Sequence, residues 1–278
     1  MTTKRSNPLS LVVLYAILVL GLIFAVFPIY FVVQAAFRPG NQLYSTTLQL
    51  FPTNPTLDNF SYVLTQTNLP LWLWNTLKVG VLTTIFTLLI TISAGYALSR
   101  FRFRGRSSIL TGMLALQAFP ALLGIFAVYL ILNSLGLINT HLGLVLAYAI
   151  GGITFNTWNL KGYFDTIPLD LEEAAMIDGC EPTQAFLRVM LPLARPVIAV
   201  TALFGFLAGT GEFLLAGLVL YDEKLYTAPL GIIGLQEGFR TPWGWFAAAS
   251  LFLALPVTVL FLFLQRNLVS GLSQGAVK

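Results

Sequence analysis

Six apolar stretches, each long enough to cross a hydrocarbon layer, divide this chain: Leu9–Ala36, Leu73–Leu98, Ile109–Asn133, Leu142–Leu160, Val197–Leu220 and Trp245–Gln265. A helix needs about 20 apolar residues for that crossing. The alternative that satisfies every backbone polar group in lipid is a closed β-barrel. A barrel strand alternates apolar and polar residues, and these runs do not. The fold class expected is therefore all-α: a polytopic membrane protein with six transmembrane helices. Of the 278 residues only 9% are charged and 57% are hydrophobic. Soluble domains carry about 25% charge, so most of the solvent here is lipid. The basic, then apolar, start resembles a secretory leader, but Leu9–Ala36 is too long for one and is read as a retained first span.

The basic residues of the connecting segments orient the bundle. With the N-terminus inside, Lys4, Arg5, Arg100, Arg102, Arg104, Arg106, Lys161, Arg188, Arg195, Arg266 and Lys278 face the cytoplasm, and only Arg38, Lys78, Lys224 and Arg240 lie opposite. Both termini are then cytoplasmic. Residues 1–36 hold the N-terminal segment and first helix, 37–70 an extracytoplasmic loop read as mostly irregular, 71–265 the main transmembrane domain, and 266–278 a cytoplasmic tail. Pro120 and Pro256 lie inside spans three and six. They are read as ordinary packing kinks in preference to hinges.

Residues 161–196 break the apolar pattern, holding nine of the 26 charged residues. Two short helices fit. The first starts near Pro168, a proline suited to a first helical position. Asp170, Glu172 and Glu173 follow at the positive end of its dipole. Leu171, Ala174, Ala175 and Asp178 share a face, and Gly179 ends the helix. The second begins at Pro182 and runs to about Met190, with Pro192 and Pro196 blocking continuation. An amphipathic loop lying on the membrane would show the same spacing.

The order Glu173-Ala174-Ala175, Gly179, Val189, Leu191-Pro192 resembles the EAA loop of ABC-importer permeases, with Val189 where isoleucine is usual. The runs 158–164, 243–249 and 271–278 are similar to the MalG-type permeases of maltose/maltodextrin importers. The resemblance is strongest from about Leu71 onward and weak in the first outer loop. It implies the type I ABC-importer permease fold and a subunit forming half of a sugar pathway. The implied partners are a second, MalF-like permease, two MalK-like ATPase subunits, an extracytoplasmic sugar-binding protein, the sugar and the bilayer, and no nucleic acid. It implies that Glu172, Glu173, Ala174, Ala175, Asp178, Gly179, Leu191 and Pro192 dock on the ATPase. It implies too that the tail at Gly275, Ala276, Val277 and Lys278 reaches that subunit. Leu230, Gly231, Gln236, Glu237 and Gly238 would meet the binding protein, although a solvated loop is the plainer reading of 221–244.

No catalytic residue is expected. The phosphate-loop pattern is absent from the sequence, so ATP and magnesium are expected on a separate ATPase and no cofactor on this chain. His141 and Cys180 stand alone, which argues against a metal site. Glu212 lies at membrane depth, where a carboxylate is expensive and marks a function by default. It either lines a pathway or braces the bundle, and bracing is favoured. Gln117, Asn156, Trp158 and Asn159 are the other polar or amphipathic candidates, with Trp158 suited to an interfacial belt. Trehalose, another oligosaccharide or glycerol phosphate are alternative cargoes. A self-sufficient secondary transporter would want more ion-coupling carboxylates. A membrane scaffold would explain the loop but not the polar groups within spans four and five.

Overall fold

The computed structural model describes residues 8–41, 51–52, 54–236 and 241–275. Among them every regular element is a helix. Two compact units are present: Met1–Asn68 with Gly234–Phe252, and Leu69–Ile233 with Leu253–Lys278.

The first unit contains α1 (Pro8–Phe37) and α2 (Asp58–Thr65). The outer loop expected to be irregular thus contains a helix. Asn59 on α2 explains it. Its amide donates to the carbonyls of Ala36 and Arg38, both at 2.9 Å, satisfying the open C-terminal end of α1. Phe37 and Phe60 pack with centroids 4.9 Å apart, and Tyr62 stacks on Trp245 at 3.6 Å.

The second unit is organised on α3 (Leu69–Arg100). It continues with α4 (Arg106–Gln117), α5 (Ala121–Ser134), α6 (His141–Thr166), α7 (Asp170–Ile177), α8 (Pro182–Ala185), a π-turn at Phe186–Met190, α9 (Leu191–Leu193), α10 (Arg195–Gly211), α11 (Leu214–Val219) and α12 (Ala228–Ile233). The last helix, α13 (Trp243–Gly275), starts in the first unit and ends in the second. It passes unbroken through Pro256. It also continues to Gly275, so most of the expected tail is helical. Ala276, Val277 and Lys278 lie outside the described residues.

Among the described residues, three helices are long and apolar enough to cross a membrane: α1 over Leu11–Phe37, α3, and α13 over Trp243–Arg266. The expected third span is not one rod. It breaks between Gln117 and Ala121, and Pro120 adopts an extended conformation ahead of α5. Proline lacks the N–H that would continue the ladder, and here the chain turns sharply. The expected fifth span also breaks, at Glu212 and Phe213 between α10 and α11.

Helix α3 meets α10 backbone to backbone. A Cβ on Gly209 would lie 2.7 Å from the Gly80 Cα, and one on Gly205 would lie 3.1 Å from the Thr84 Cα. Gly205 and Gly209 are four residues apart, the spacing that lets membrane helices approach closely. On its other side α3 meets α6 at Gly95, where a Cβ would lie 2.9 Å from Leu160 Cβ.

Candidate docking site

The polar segment hangs from an apolar knot at the feet of α3, α6 and α10. Leu160, Phe164, Ile167, Met190, Ala194 and Val197 form its buried centre, with Tyr96 and Phe186 packed against it. From this base α7 projects. Leu169 caps it, with Glu172 and Glu173 N–H groups bonded to the Leu169 carbonyl at 2.9 and 3.1 Å. Its end is a Schellman motif. Cys180 N–H donates to Ala175 O at 3.0 Å, Gly179 N–H to Met176 O at 3.1 Å, and Gly179 has φ +92°. Glu181 and Gln184 then begin α8, the Gln184 side chain accepting from the Glu181 N–H at 3.3 Å.

The expected stop at Pro192 does not occur. Helix continues through Pro192 to Leu193 and bends by 78° at the join with α10. The π-turn makes this possible. Leu191 N–H bonds to Phe186 O, five residues back. A wider turn gives a proline ring room that an α-turn lacks.

The EAA residues separate by face. Glu173, Ala174, Asp178 and Gly179 are exposed and Ala175 is half-buried. Beside them Ile177 is 86% exposed, with Leu169, Leu171 and Met176 also open. This is an apolar and small-residue surface that nothing among the described residues covers. Glu172, grouped with the docking residues above, points the other way. It is 5% exposed. Its carboxylate pairs with the Arg100 guanidinium and accepts from the Tyr96 hydroxyl at 2.8 Å. Arg100 also donates to Ile167 O at 2.9 Å. Arg100 thus holds both the entry to α7 and its first turn. Leu191 and Pro192 are half-buried in the stem.

A second tie lies alongside. Asp165 accepts from Ser99 at 2.7 Å and pairs with Lys161 at 2.5 Å. Burial works against its charge, but the Lys161 and Ser99 hydrogen bonds outweigh it and hold the carboxyl below its usual range.

Glu212 braces. Its carboxylate takes the N–H groups of Leu214 (2.6 Å), Leu215 (3.0 Å) and Ala216 (3.4 Å), the open donors of α11, and the Tyr148 hydroxyl at 2.7 Å. The break and the half-buried charge therefore explain one another. Asn156 is buried and donates to Gly152 O at 2.9 Å within α6. Trp158 is half-buried with the Lys161 ammonium 6.0 Å from its ring centre, Asn159 is half-buried, and Gln117 is exposed at the end of α4.

The 221–244 segment is not a solvated loop over its first half. Trp72 Nε1 donates to Glu223 O, and Asn75 Nδ2 to Lys224 O and Tyr226 O, at 2.9–3.0 Å. Ala228 N–H donates to Thr76 Oγ1 at 2.6 Å. Gly231 is pressed on Trp72, where a Cβ would lie 2.2 Å from the ring, and Leu230 is half-buried beside it. These two residues pack the core face of α12. Gln236 is exposed. Glu237 and Gly238 lie outside the described residues.

A family profile described as "Binding-protein-dependent transport system inner membrane component" matches residues 87–274. A Vibrio vulnificus protein named maltose/maltodextrin transport system permease protein MalG is 39% identical, over 91% of this chain and 90% of its own. The Escherichia coli (strain K12) protein of that name is 37% identical over 100% and 99%. The galactooligosaccharides transport system permease protein GanQ of Bacillus subtilis (strain 168) is 37% identical over 95% and 94%. A chain from the crystal structure of a bacterial ABC transporter involved in the import of the acidic polysaccharide alginate superposes with TM-score 0.78 at 22% identity, covering 96% of this chain and 99% of that one. This last likeness concerns the fold.

Proposed function

The chain belongs to the family of binding-protein-dependent transport system inner membrane components, and from that premise we propose that it is a sugar permease whose cargo is maltose or maltodextrins. It forms half of a translocation pathway in a bacterial inner membrane. A MalF-like permease completes the path, two MalK-like ATPases drive it, and an extracytoplasmic binding protein delivers the sugar. ATP and magnesium are held by the ATPase. Six crossings follow if α4 with α5 counts as one, α10 with α11 as another, and α6 is added to α1, α3 and α13. The charge asymmetry of the connections then puts both termini in the cytoplasm.

The observation that carries the coupling role is the exposed face of α7. Glu173, Ala174 and Ile177 lie open, while Glu172 and Arg100 fix the helix to α3. An apolar surface of this kind outside the spans marks a protein contact. Small residues let a partner helix or cleft approach closely. A push on α7 would pass through Arg100 and the apolar knot into α3, α6 and α10.

The cargo rests on the names of similar proteins, one of which carries galactooligosaccharides. Those sugars are the second reading. Vesicles holding the reconstituted importer separate the two. Unlabelled maltose should compete with labelled maltodextrin uptake, and galactooligosaccharides should not. Sugar flux by this chain in vesicles without an ATPase would overturn the permease-subunit reading.

A further inference from the structure

The turn Phe101-Arg102-Phe103-Arg104-Gly105-Arg106 joins α3 to α4 and contributes more than charge. Its flanking arginines are used within the fold. Arg100 holds Glu172, and Arg106 Nε donates to Leu98 O at 2.8 Å. Together with Gly105 at φ +93° they draw the chain into a tight return at the end of a membrane-spanning helix. The two arginines between them differ. Arg102 and Arg104 are exposed, and among the described residues neither has a carboxylate within ion-pair distance. They alternate with Phe101 and Phe103, which are 57% and 44% exposed. Phe101 is held edge-on to Tyr96 at 5.9 Å, so the turn is fastened to the foot of α3. The outer face of α3 leading to it, at Leu89 and Ile90, is apolar and open.

Unpaired guanidinium groups interleaved with open phenyl rings, at the end of an apolar span, match one environment. Guanidinium presents a planar fork to phosphate oxygens, and juxtamembrane basic clusters draw anionic lipid. We infer that this turn is a binding site for an anionic phospholipid: Arg102 and Arg104 take the headgroup phosphate while Phe101 and Phe103 enter the acyl boundary beside it. An acidic protein surface would satisfy the arginines but leave the phenyl rings in water. The site adjoins Arg100, so a bound headgroup sits next to the anchor of α7. The inference rests on the membrane-permease reading and not on its cargo.

The purified full chain, exchanged into detergent with an equimolar mixture of phosphatidylglycerol and phosphatidylcholine, is the test. Native mass spectrometry counts the lipid retained. Phosphatidylglycerol should be kept in preference. Arg102→Gln with Arg104→Gln should reduce that preference, by roughly fivefold for each arginine. Arg102→Lys with Arg104→Lys should keep most of it. Both double variants should unfold at the wild-type temperature, since neither side chain is tied to any of the described residues. An unchanged preference in the glutamine variant overturns the site. So does displacement of the lipid by millimolar inorganic phosphate, which would make it a free-anion site. Retained preference with lost co-purification of the ATPase would assign the patch to a protein interface instead. Sugar uptake is not read, so this result and the cargo assay fail independently.

Discussion

The Arg100 guanidinium and the Glu172 carboxylate, 72 positions apart, form a largely buried ion pair at the foot of α3. The pair turns one acidic residue of the EAA region inward and leaves its neighbour, Glu173, facing out. Two adjacent glutamates therefore do different work, one holding the segment to the bundle and one available to a partner.

Glu172→Ala should destabilise the purified chain by up to about 3 kcal/mol, because it strands a largely buried guanidinium. Replacing both partners, Arg100→Met with Glu172→Leu, should recover most of that loss. Thermal unfolding in detergent checks both. A Glu172→Ala protein as stable as the wild type would show that the pair contributes nothing to holding α7.

Glu173→Lys should leave the unfolding temperature within the spread of ordinary surface changes, about 0.5 kcal/mol, yet abolish ATP-driven uptake. Ala174→Leu should do the same by keeping the ATPase at a distance. It is a cleaner probe than Gly179→Leu, whose φ of +92° adds backbone strain of about 1–2 kcal/mol. Normal uptake by both Glu173→Lys and Ala174→Leu would remove α7 from the coupling path.

Glu212→Ala should cost more stability than Tyr148→Phe. The first strands the N–H donors of α11 and a hydroxyl; the second removes one hydrogen bond worth about 1 kcal/mol. Glu212→Gln keeps an acceptor and should transport sugar with moderate loss of stability. If Glu212→Gln instead folds normally and stops transport, the carboxylate belongs to the pathway.

His141 ties the start of α6 to the 221–227 segment, its Nε2–H donating to Leu225 O at 2.8 Å. Burial pushes its pKa below the ordinary 6.5, with the Leu225 hydrogen bond opposing. The folded state thus binds the proton less readily than the unfolded chain. Its contribution is fully present above pH 6.5 and is lost as pH falls through the folded value. Unfolding temperature should therefore decline between pH 7.5 and 5.5, and His141→Gln should flatten that slope. An identical slope in the variant would place the dependence elsewhere.

What was legible in the sequence was local. Apolar length announced lipid as the solvent for α1, α3 and α13, since no other environment pays for so much exposed hydrocarbon. The punctuation of α7 was equally plain, because caps and a left-handed glycine act within one turn. The spacing of Glu173, Gly179 and Leu191-Pro192 pointed to the family. Gly205 and Gly209 carry a further local signal, the small-residue spacing of a close helix crossing, to which hydropathy is blind.

The tertiary structure decided what depends on distant partners. Nothing near Glu172 says that Arg100 waits for it. Nothing near Gly231 says that Trp72 will press on α12 and hide it. Pro192 reads as a stop until a π-turn supplies the room for its ring. Glu212 reads as a bare charge in lipid until the chain breaks and offers it the donors of α11. In each case a polar or bulky group has several local solutions of similar cost. Which one is adopted depends on the faces that α3, α6 and α10 bring together, and that is settled by packing across the bundle.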